Sequence, residues 1–140
     1  MDLDTVRAKM MAQVNRAANS AMARAFGWSF EIEDLALYAL LRHRRRSEHT
    51  YLLRVSFEEF PRRAPSYVFV DRQNKEVTDA AWPPGVKHGD PLPGICTPGT
   101  RECHEKYHAN DAQYAWDAER YTFLDTLLRI HNLMERGLGG

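Results

Sequence analysis

Prolines and glycines recur through residues 81–99, and this segment constrains the fold of the chain more than any other. Proline fixes φ and removes a backbone donor, so the segment cannot form a regular helix or a central strand. Long irregular loops are uncommon inside a compact domain and are often functional. The segment contains Cys96, one of only two cysteines in the chain. We therefore expect an irregular functional loop around Cys96.

Both ends of the chain show the periodicity of helices. Residues 5–25 contain neither glycine nor proline, and their small apolar residues recur at steps of three and four. This pattern predicts one helix over residues 5–25, with Asp4 as its N-terminal cap and Gly27 as its stop. A second amphipathic helix is predicted to end at Gly137. Thr122 and Asp125 have the spacing of a capping box and mark its start.

Between the first helix and the proline-rich loop the period changes to that of strands. Apolar residues alternate with polar ones over residues 28–32 and 51–57, and residues 67–70 form a further candidate. Residues 35–41 are an apolar run, which fits a strand buried on both faces or a turn of helix. Four strands joined by short polar turns predict an antiparallel meander, covered on one face by the two helices. The predicted fold class is α+β, in a single domain over residues 1–140.

The order of these elements, together with short local signatures, resembles the ubiquitin-conjugating (E2, UBC-like) superfamily. Residues 51–61 and 64–69 resemble its third strand, its tyrosine-proline turn and its fourth strand, with Phe60 in the place of the tyrosine. Trp82-Pro83 is similar to the start of its active-site segment, and residues 94–96, Gly-Ile-Cys, are similar to the tripeptide that carries its thioester cysteine. Residues 121–134 resemble the helix that follows.

The chain departs from typical eukaryotic E2 enzymes in its active-site segment. They have His-Pro-Asn upstream of the cysteine, whereas residues 87–91 here read Lys-His-Gly-Asp-Pro, which puts His88 near the place of the asparagine. The stretch after Cys96 is longer, and the extra C-terminal helices are missing. These departures resemble the divergent bacterial E2-like proteins. The resemblance implies an E1-like activating enzyme, a ubiquitin-like modifier and a JAB-type protease as partners.

The chemistry expected of Cys96 is that of a nucleophile. A thiolate in an accessible loop can accept an acyl group and pass it on. Three histidines are candidates to tune the thiol or to move protons, because imidazole titrates near neutrality: His88, His104 and His108. A non-catalytic binding module on the same fold is the alternative, in which Cys96 is a small buried hydrophobic residue.

A different interpretation starts from residues 104–108, which read His-Glu-Lys-Tyr-His and match the H-E-x-x-H pattern. On an α-helix such histidines share a face and can bind zinc, with the glutamate as general base. The third ligand of such a protease would have to be Asp117 or Glu119. A structural or regulatory zinc site is a related option, and its candidate ligands are Cys96, Cys103, His104 and His108, with His88 as a further one. No other cofactor is expected.

Charge and length exclude some classes of function. Lys plus Arg and Asp plus Glu both number 19 in 140 residues, so the formal net charge is zero and nucleic acid is an unfavoured partner. The basic cluster Arg42, Arg44, Arg45 and Arg46 is interpreted as a solvated turn, with an acidic partner or a phosphate backbone as the other reading. There is no signal peptide and no run of about 20 apolar residues, so we expect a cytoplasmic protein that does not enter a membrane.

Overall fold

Two helices, not one, occupy the N-terminal region of the computed structural model, which describes residues 2–89 and 93–139. They are α1 (Leu3–Ala18) and α2 (Ala21–Phe26), so the prediction of one continuous helix over residues 5–25 is wrong. The break lies at Ser20, whose hydroxyl lies 2.6 Å from the Ala17 carbonyl oxygen and accepts the Ala23 N–H at 3.2 Å. A serine that bonds the local backbone in this way ends one helix and caps the next.

The caps of these helices follow ordinary rules. Asp2, and not Asp4 as predicted, caps α1 by accepting the Thr5 N–H at 2.8 Å. Asp4 lies in the first turn of the helix, where a carboxylate is favoured by the helix dipole. Gly27 ends α2 in the left-handed conformation with φ of 68°, as predicted.

Four antiparallel strands follow in the order β1-β2-β3-β4, as predicted. Their bounds are β1 (Ser29–Glu33), β2 (Ala36–Arg42), β3 (Thr50–Ser56) and β4 (Ser66–Val70). β2 alternates between fully buried and half-buried residues, so the expectation that it is buried on both faces is wrong. One face of the sheet is in the core and the other is only half covered, which is typical of antiparallel sheets.

The long C-terminal helix α3 (Phe123–Gly137) completes the α+β fold. Thr122 caps it by accepting the Asp125 N–H at 3.2 Å, as the sequence predicts. Leu127, Ile130 and Met134 lie at helical spacing and are fully buried in the core. α3 also packs against α1, so both helices cover the same face of the sheet.

The chain between β4 and α3 is irregular, as the prolines predict. Its described residues form only short turns: two 3₁₀ turns (Asp79–Ala81 and Ala112–Tyr114) and one π-helical turn (Cys103–Tyr107). Asp90 and Pro91, which belong to the stretch predicted to precede the active cysteine, lie outside the described residues.

Candidate functional site around Cys96

Cys96 is exposed in a loop whose neighbouring residues are buried. Ile95 is fully buried in the core and Thr97 is 5% exposed, whereas Cys96 faces solvent between them. The buried side chains on either side fix the backbone, so the thiol is presented from a held position. This arrangement differs from that of a core cysteine, which is shielded from reagents.

Hydrogen bonds of the Thr100 side chain hold the cysteine loop in place. The Thr100 hydroxyl lies 2.9 Å from the Ile95 carbonyl oxygen and 3.0 Å from that of Thr97. The same hydroxyl oxygen accepts the Cys103 N–H at 3.1 Å. A single buried threonine therefore connects the cysteine loop to the π-helical turn that follows it.

Two glycines allow the loop to approach its neighbours closely. Gly99 has φ of 104°, and a Cβ there would lie 1.9 Å from the Thr126 Oγ1 of α3. A Cβ on Gly94 would lie 2.7 Å from both the Glu102 Cγ and the Tyr107 hydroxyl oxygen. Neither position has room for a side chain, which gives a physical reason for glycine two residues before Cys96.

His108 is the histidine that the structure brings to Cys96. Its Nε2 lies 3.6 Å from the Cys96 Sγ, within the range of a hydrogen bond to sulfur. The imidazole is half-buried and stacks on the Tyr114 ring, with 4.3 Å between centroids and 28° between planes. This stacking orients the ring. The pair has the composition of a thiol with an adjacent base.

The Cys96 thiol is not activated by its surroundings in the resting state. Partial burial of the sulfur raises the pKa of the Cys96 thiol above its ordinary value. The thiol is therefore mostly protonated at neutral pH, and attack on an acyl group requires a base to remove the proton. His108 lies where such a base is needed.

His104 is turned inward and plays a structural part. Its Nε2 accepts the Gly99 N–H at 2.9 Å, and its Nδ1 lies 2.5 Å from the Tyr114 carbonyl oxygen. Since Nε2 accepts, the proton is on Nδ1 and is donated to that carbonyl. Burial lowers the pKa of His104, which favours this neutral form. Both nitrogens are used to hold the loop.

His88 lies beside the loop without a hydrogen bond to the thiol among the described residues. Its backbone pairs with that of Gly94 through two hydrogen bonds of 2.8 Å. Its ring packs edge-on against Tyr107, whose hydroxyl donates to the His88 carbonyl oxygen at 2.7 Å. This pairing places the His88 backbone beside the cysteine loop, and a role for its side chain at the thiol stays a prediction.

Cys103 is unlike Cys96. It is 1% exposed, and burial together with the nearby Cys96 raises its pKa to about 11. Both cysteines are free thiols. A buried thiol that stays protonated is a poor nucleophile, so Cys96 is the better candidate nucleophile of the two.

The H-E-x-x-H residues are not arranged as in a zinc protease. The turn that contains them is π-helical, so His104 points inward while His108 is half-buried beside Cys96. The carboxylate of Glu105 is paired with Arg63 at 2.5 Å, and its pKa is lowered by that partner. Across the described residues, no three histidine, cysteine, aspartate or glutamate side chains form a group that could hold a metal ion. The zinc interpretations, including those with Asp117 or Glu119, gain no support.

Sequence reasoning missed Glu102, which connects the loop region to the sheet. Its carboxylate accepts the Ser66 hydroxyl at 2.7 Å and the Tyr67 N–H at 3.2 Å. Arg101 extends the connection, because its side chain donates to the Ala64 carbonyl oxygen at 2.9 Å. No motif indicates these residues, since their partners lie more than 30 residues away in the chain.

A second buried cluster, which shares no residue with the cysteine loop, was also missed. His131 Nδ1 accepts the Trp28 Nε1–H at 3.0 Å, and its Nε2 lies 2.8 Å from a Glu135 carboxylate oxygen. Arg44, from the predicted basic turn, binds the same carboxylate through its side chain and its backbone N–H. The spacing of His131 and Glu135 on one helix face was the only signal available from the sequence.

Comparisons with protein-family models and with curated proteins found no match to this chain. Within the described part of the chain, none of the helices combines the length and the apolar character needed to cross a membrane.

Proposed function

We propose that this chain is an E2-like conjugating protein of the divergent bacterial type, with a UBC-like fold, and that Cys96 accepts a ubiquitin-like modifier as a thioester. The observation that carries the proposal is the exposed Cys96 thiol, 3.6 Å from the half-buried His108 imidazole. The order of the two N-terminal helices, the four-strand meander, the irregular loop and α3 supports the proposal. The Gly-Ile-Cys tripeptide adds a local likeness.

The proposed charging step exchanges one thioester for another. His108, in the tautomer with its proton on Nδ1, takes the Cys96 proton on Nε2 as the sulfur attacks the donor carbonyl carbon. A new bond forms between the Cys96 Sγ and that carbon. The carbon–sulfur bond of the donor then breaks, and the proton goes to the departing thiolate.

The proposed transfer step returns Cys96 to its starting state. An amine or thiol of the acceptor attacks the carbonyl carbon, and the bond to the Cys96 Sγ breaks. The acceptor loses a proton, which returns through His108 to the sulfur. His88 and His104 support the site in different ways in this scheme. His88 lines the loop on the side of Gly94, and His104 holds Gly99.

The proposed partners are an E1-like activating enzyme, which supplies the donor thioester, and a ubiquitin-like protein, which is the modifier. A JAB-type protease would process or remove that modifier. The direct test combines the E1-like enzyme, ATP, the modifier and the chain. We expect an adduct that dithiothreitol removes, which is absent in Cys96→Ala and retained in Cys103→Ala. An adduct of equal yield in Cys96→Ala would show the proposal to be wrong.

A non-catalytic binding module is the second candidate, and the raised pKa of the Cys96 thiol favours it. A binding module needs the fold but does not need a reactive thiol. The charging reaction separates the two functions. A thioester on Cys96 supports the transferase, whereas non-covalent binding of the modifier that Cys96→Ala retains, with no thioester formed, supports the binding module.

A further inference from the structure

A cleft with an excess of positive charge lies where the β2–β3 turn meets the C-terminal end of α3. We call it the arginine cleft, and it encloses about 440 Å³. Its lining residues are Arg44, Arg45, Asn132, Glu135 and Arg136. Three guanidinium groups and one carboxylate give it a net positive charge, although the whole chain has a formal net charge of zero. The charge is therefore concentrated locally.

Among the described residues, Glu135 is the only carboxylate in the lining, and it is already paired. Glu135 accepts two nitrogens of the Arg44 guanidinium at 3.0 and 3.1 Å, together with the Arg44 backbone N–H at 3.0 Å. Its other contact is with His131, at 2.8 Å. The Arg44 guanidinium offsets the negative charge of Glu135, and these hydrogen bonds fix Arg44 in one wall of the cleft.

The other polar side chains that line the cleft have no hydrogen-bond or ion-pair partner among the described residues. Arg45, Asn132 and Arg136 are exposed, and within the described residues their side chains make no hydrogen bond or ion pair. Arg45 comes from the turn and Arg136 from the helix, so two guanidinium groups approach the cleft from separate elements. Guanidinium groups bind carboxylates through two parallel hydrogen bonds.

The backbone around the cleft has few donors to offer a ligand. The Arg44 N–H donates to Glu135, and the N–H groups of Arg45 and Arg46 both donate to His43 Nδ1 at 3.0 Å. The helix at the cleft contributes its C-terminal end, which carries carbonyl oxygens and the negative end of the helix dipole. Phosphate sites are typically built from backbone N–H groups and helix N-termini, and this cleft has neither.

From these observations we infer that the arginine cleft binds a carboxylate-rich segment of a partner protein. The ligand chemistry is side-chain carboxylates on an extended acidic peptide, paired with Arg45 and Arg136. Nucleic acid is disfavoured because none of the described residues lining the cleft is aromatic and available for base stacking. The inference does not depend on Cys96, since the cleft residues and the cysteine loop have no residue in common.

The test uses a fluorescein-labelled peptide of twelve residues rich in glutamate, titrated with the full chain and followed by anisotropy. We expect saturable binding that weakens about tenfold or more in the double variant Arg45→Glu, Arg136→Glu. The control is Arg16→Glu, Arg24→Glu, which makes the same change in charge at exposed positions on α1 and α2. The control should change the Kd by less than about twofold.

Three results would overturn the inference. The first is no binding of the peptide by the unmodified chain at millimolar concentration. The second is an equal loss of affinity in the control variant, which would show binding to net charge alone. The third is tighter binding of labelled oligothymidylate than of the peptide. The variant Arg45→Gln, Arg136→Gln removes the charge without repulsion, and under the inference its affinity falls between those of the unmodified chain and the double glutamate variant.

Discussion

His108 and His131 are both imidazoles with a partner side chain, but they lie in opposite surroundings. His131 is fully buried, and its two nitrogens contact Trp28 and Glu135. His108 is half-buried at the loop, and the contact of its Nε2 is with the Cys96 sulfur. An imidazole with both nitrogens occupied inside the core holds structure together. An accessible one beside a thiol can gain and lose a proton, which is what a transfer reaction requires.

The electrostatics of the two sites show the same contrast. Burial lowers the pKa of His131 and keeps it neutral. Burial alone would raise the pKa of Glu135, but hydrogen bonds from Arg44 and His131 lower it to about 2. That network is fixed in one protonation state at neutral pH. The Cys96 thiol, with its raised pKa, must instead change its protonation state in order to react.

The largest expected effect is on the rate of acyl transfer in His108→Ala. Loss of the base next to Cys96 should slow the acceptance of an acyl group at pH 7 by about 10²- to 10³-fold, in the range of general base catalysis. The free energy of unfolding should fall by no more than about 1 kcal/mol, because the half-buried ring loses only its stacking on Tyr114 and its contact with Cys96. Single-turnover kinetics with a peptide thioester and urea unfolding measure the two quantities. A rate within threefold of the unmodified chain would contradict the assignment.

The variant His131→Ala should lower the stability of the fold and leave the reaction of Cys96 unchanged. It leaves a cavity and removes the partner of the buried Trp28 Nε1–H, which together should lower the free energy of unfolding by about 3 kcal/mol. Molecules that remain folded should retain the reactivity of Cys96. Urea unfolding and thiol modification of the native fraction measure the two effects. If His131→Ala slows the chemistry as much as His108→Ala, the two regions are not separate.

The cysteine loop contacts α3 at Thr126, and α3 also carries His131. A variant at this contact therefore tests whether the loop and the His131 network are coupled through the helix. Gly99→Ala puts a Cβ 1.9 Å from the Thr126 Oγ1 at a positive φ. We expect a loss of about 2–3 kcal/mol and slower reaction of Cys96, since the loop must shift. The matched control is Gly85→Ala, which has φ of 76° and open space around the new Cβ. Backbone strain alone should cost it about 1 kcal/mol. Equal losses in the two variants would show that the contact with Thr126 is unimportant.

The smallest expected effect is a dependence of thiol modification on pH. Because the pKa of the Cys96 thiol is raised, its thiolate fraction is small at pH 7 and rises about tenfold per pH unit up to about pH 8.5. The rate of iodoacetamide modification of Cys96 should rise in proportion, with no plateau in that range. Peptide mapping by mass spectrometry separates this signal from that of Cys103. A plateau below pH 7 would indicate a preformed thiolate instead.

Local pattern was enough to predict most of the fold. Alternation located β1 and β3, apolar runs between polar turns located β2 and β4, and helical spacing with Thr122 and Gly137 located α3, because these signals depend on neighbours along the chain. The break in the first helix was not predicted. It depends on Ser20, whose hydroxyl can face solvent in a helix or bond the backbone, and the residues around it do not reveal which it does.

The candidate site was predicted only in part. The loop context indicated that Cys96 is exposed, and a histidine beside it was expected. The π-helical turn at Cys103–Tyr107 decides which histidine lies beside Cys96. The α-helical spacing assumed for the H-E-x-x-H residues does not apply in such a turn. The network of His131 joins residues 103 positions apart, a pairing that no local pattern specifies.

The most direct test of the central claim needs no partner protein. The chain is incubated at pH 7.5 with a short peptide thioester, and the adduct is located by mass spectrometry before and after treatment with dithiothreitol. We predict an acyl adduct on Cys96 that dithiothreitol removes, that is retained in Cys103→Ala and that forms slowly in His108→Ala. An adduct located on Cys103, or none on Cys96 in the folded chain, would contradict the account.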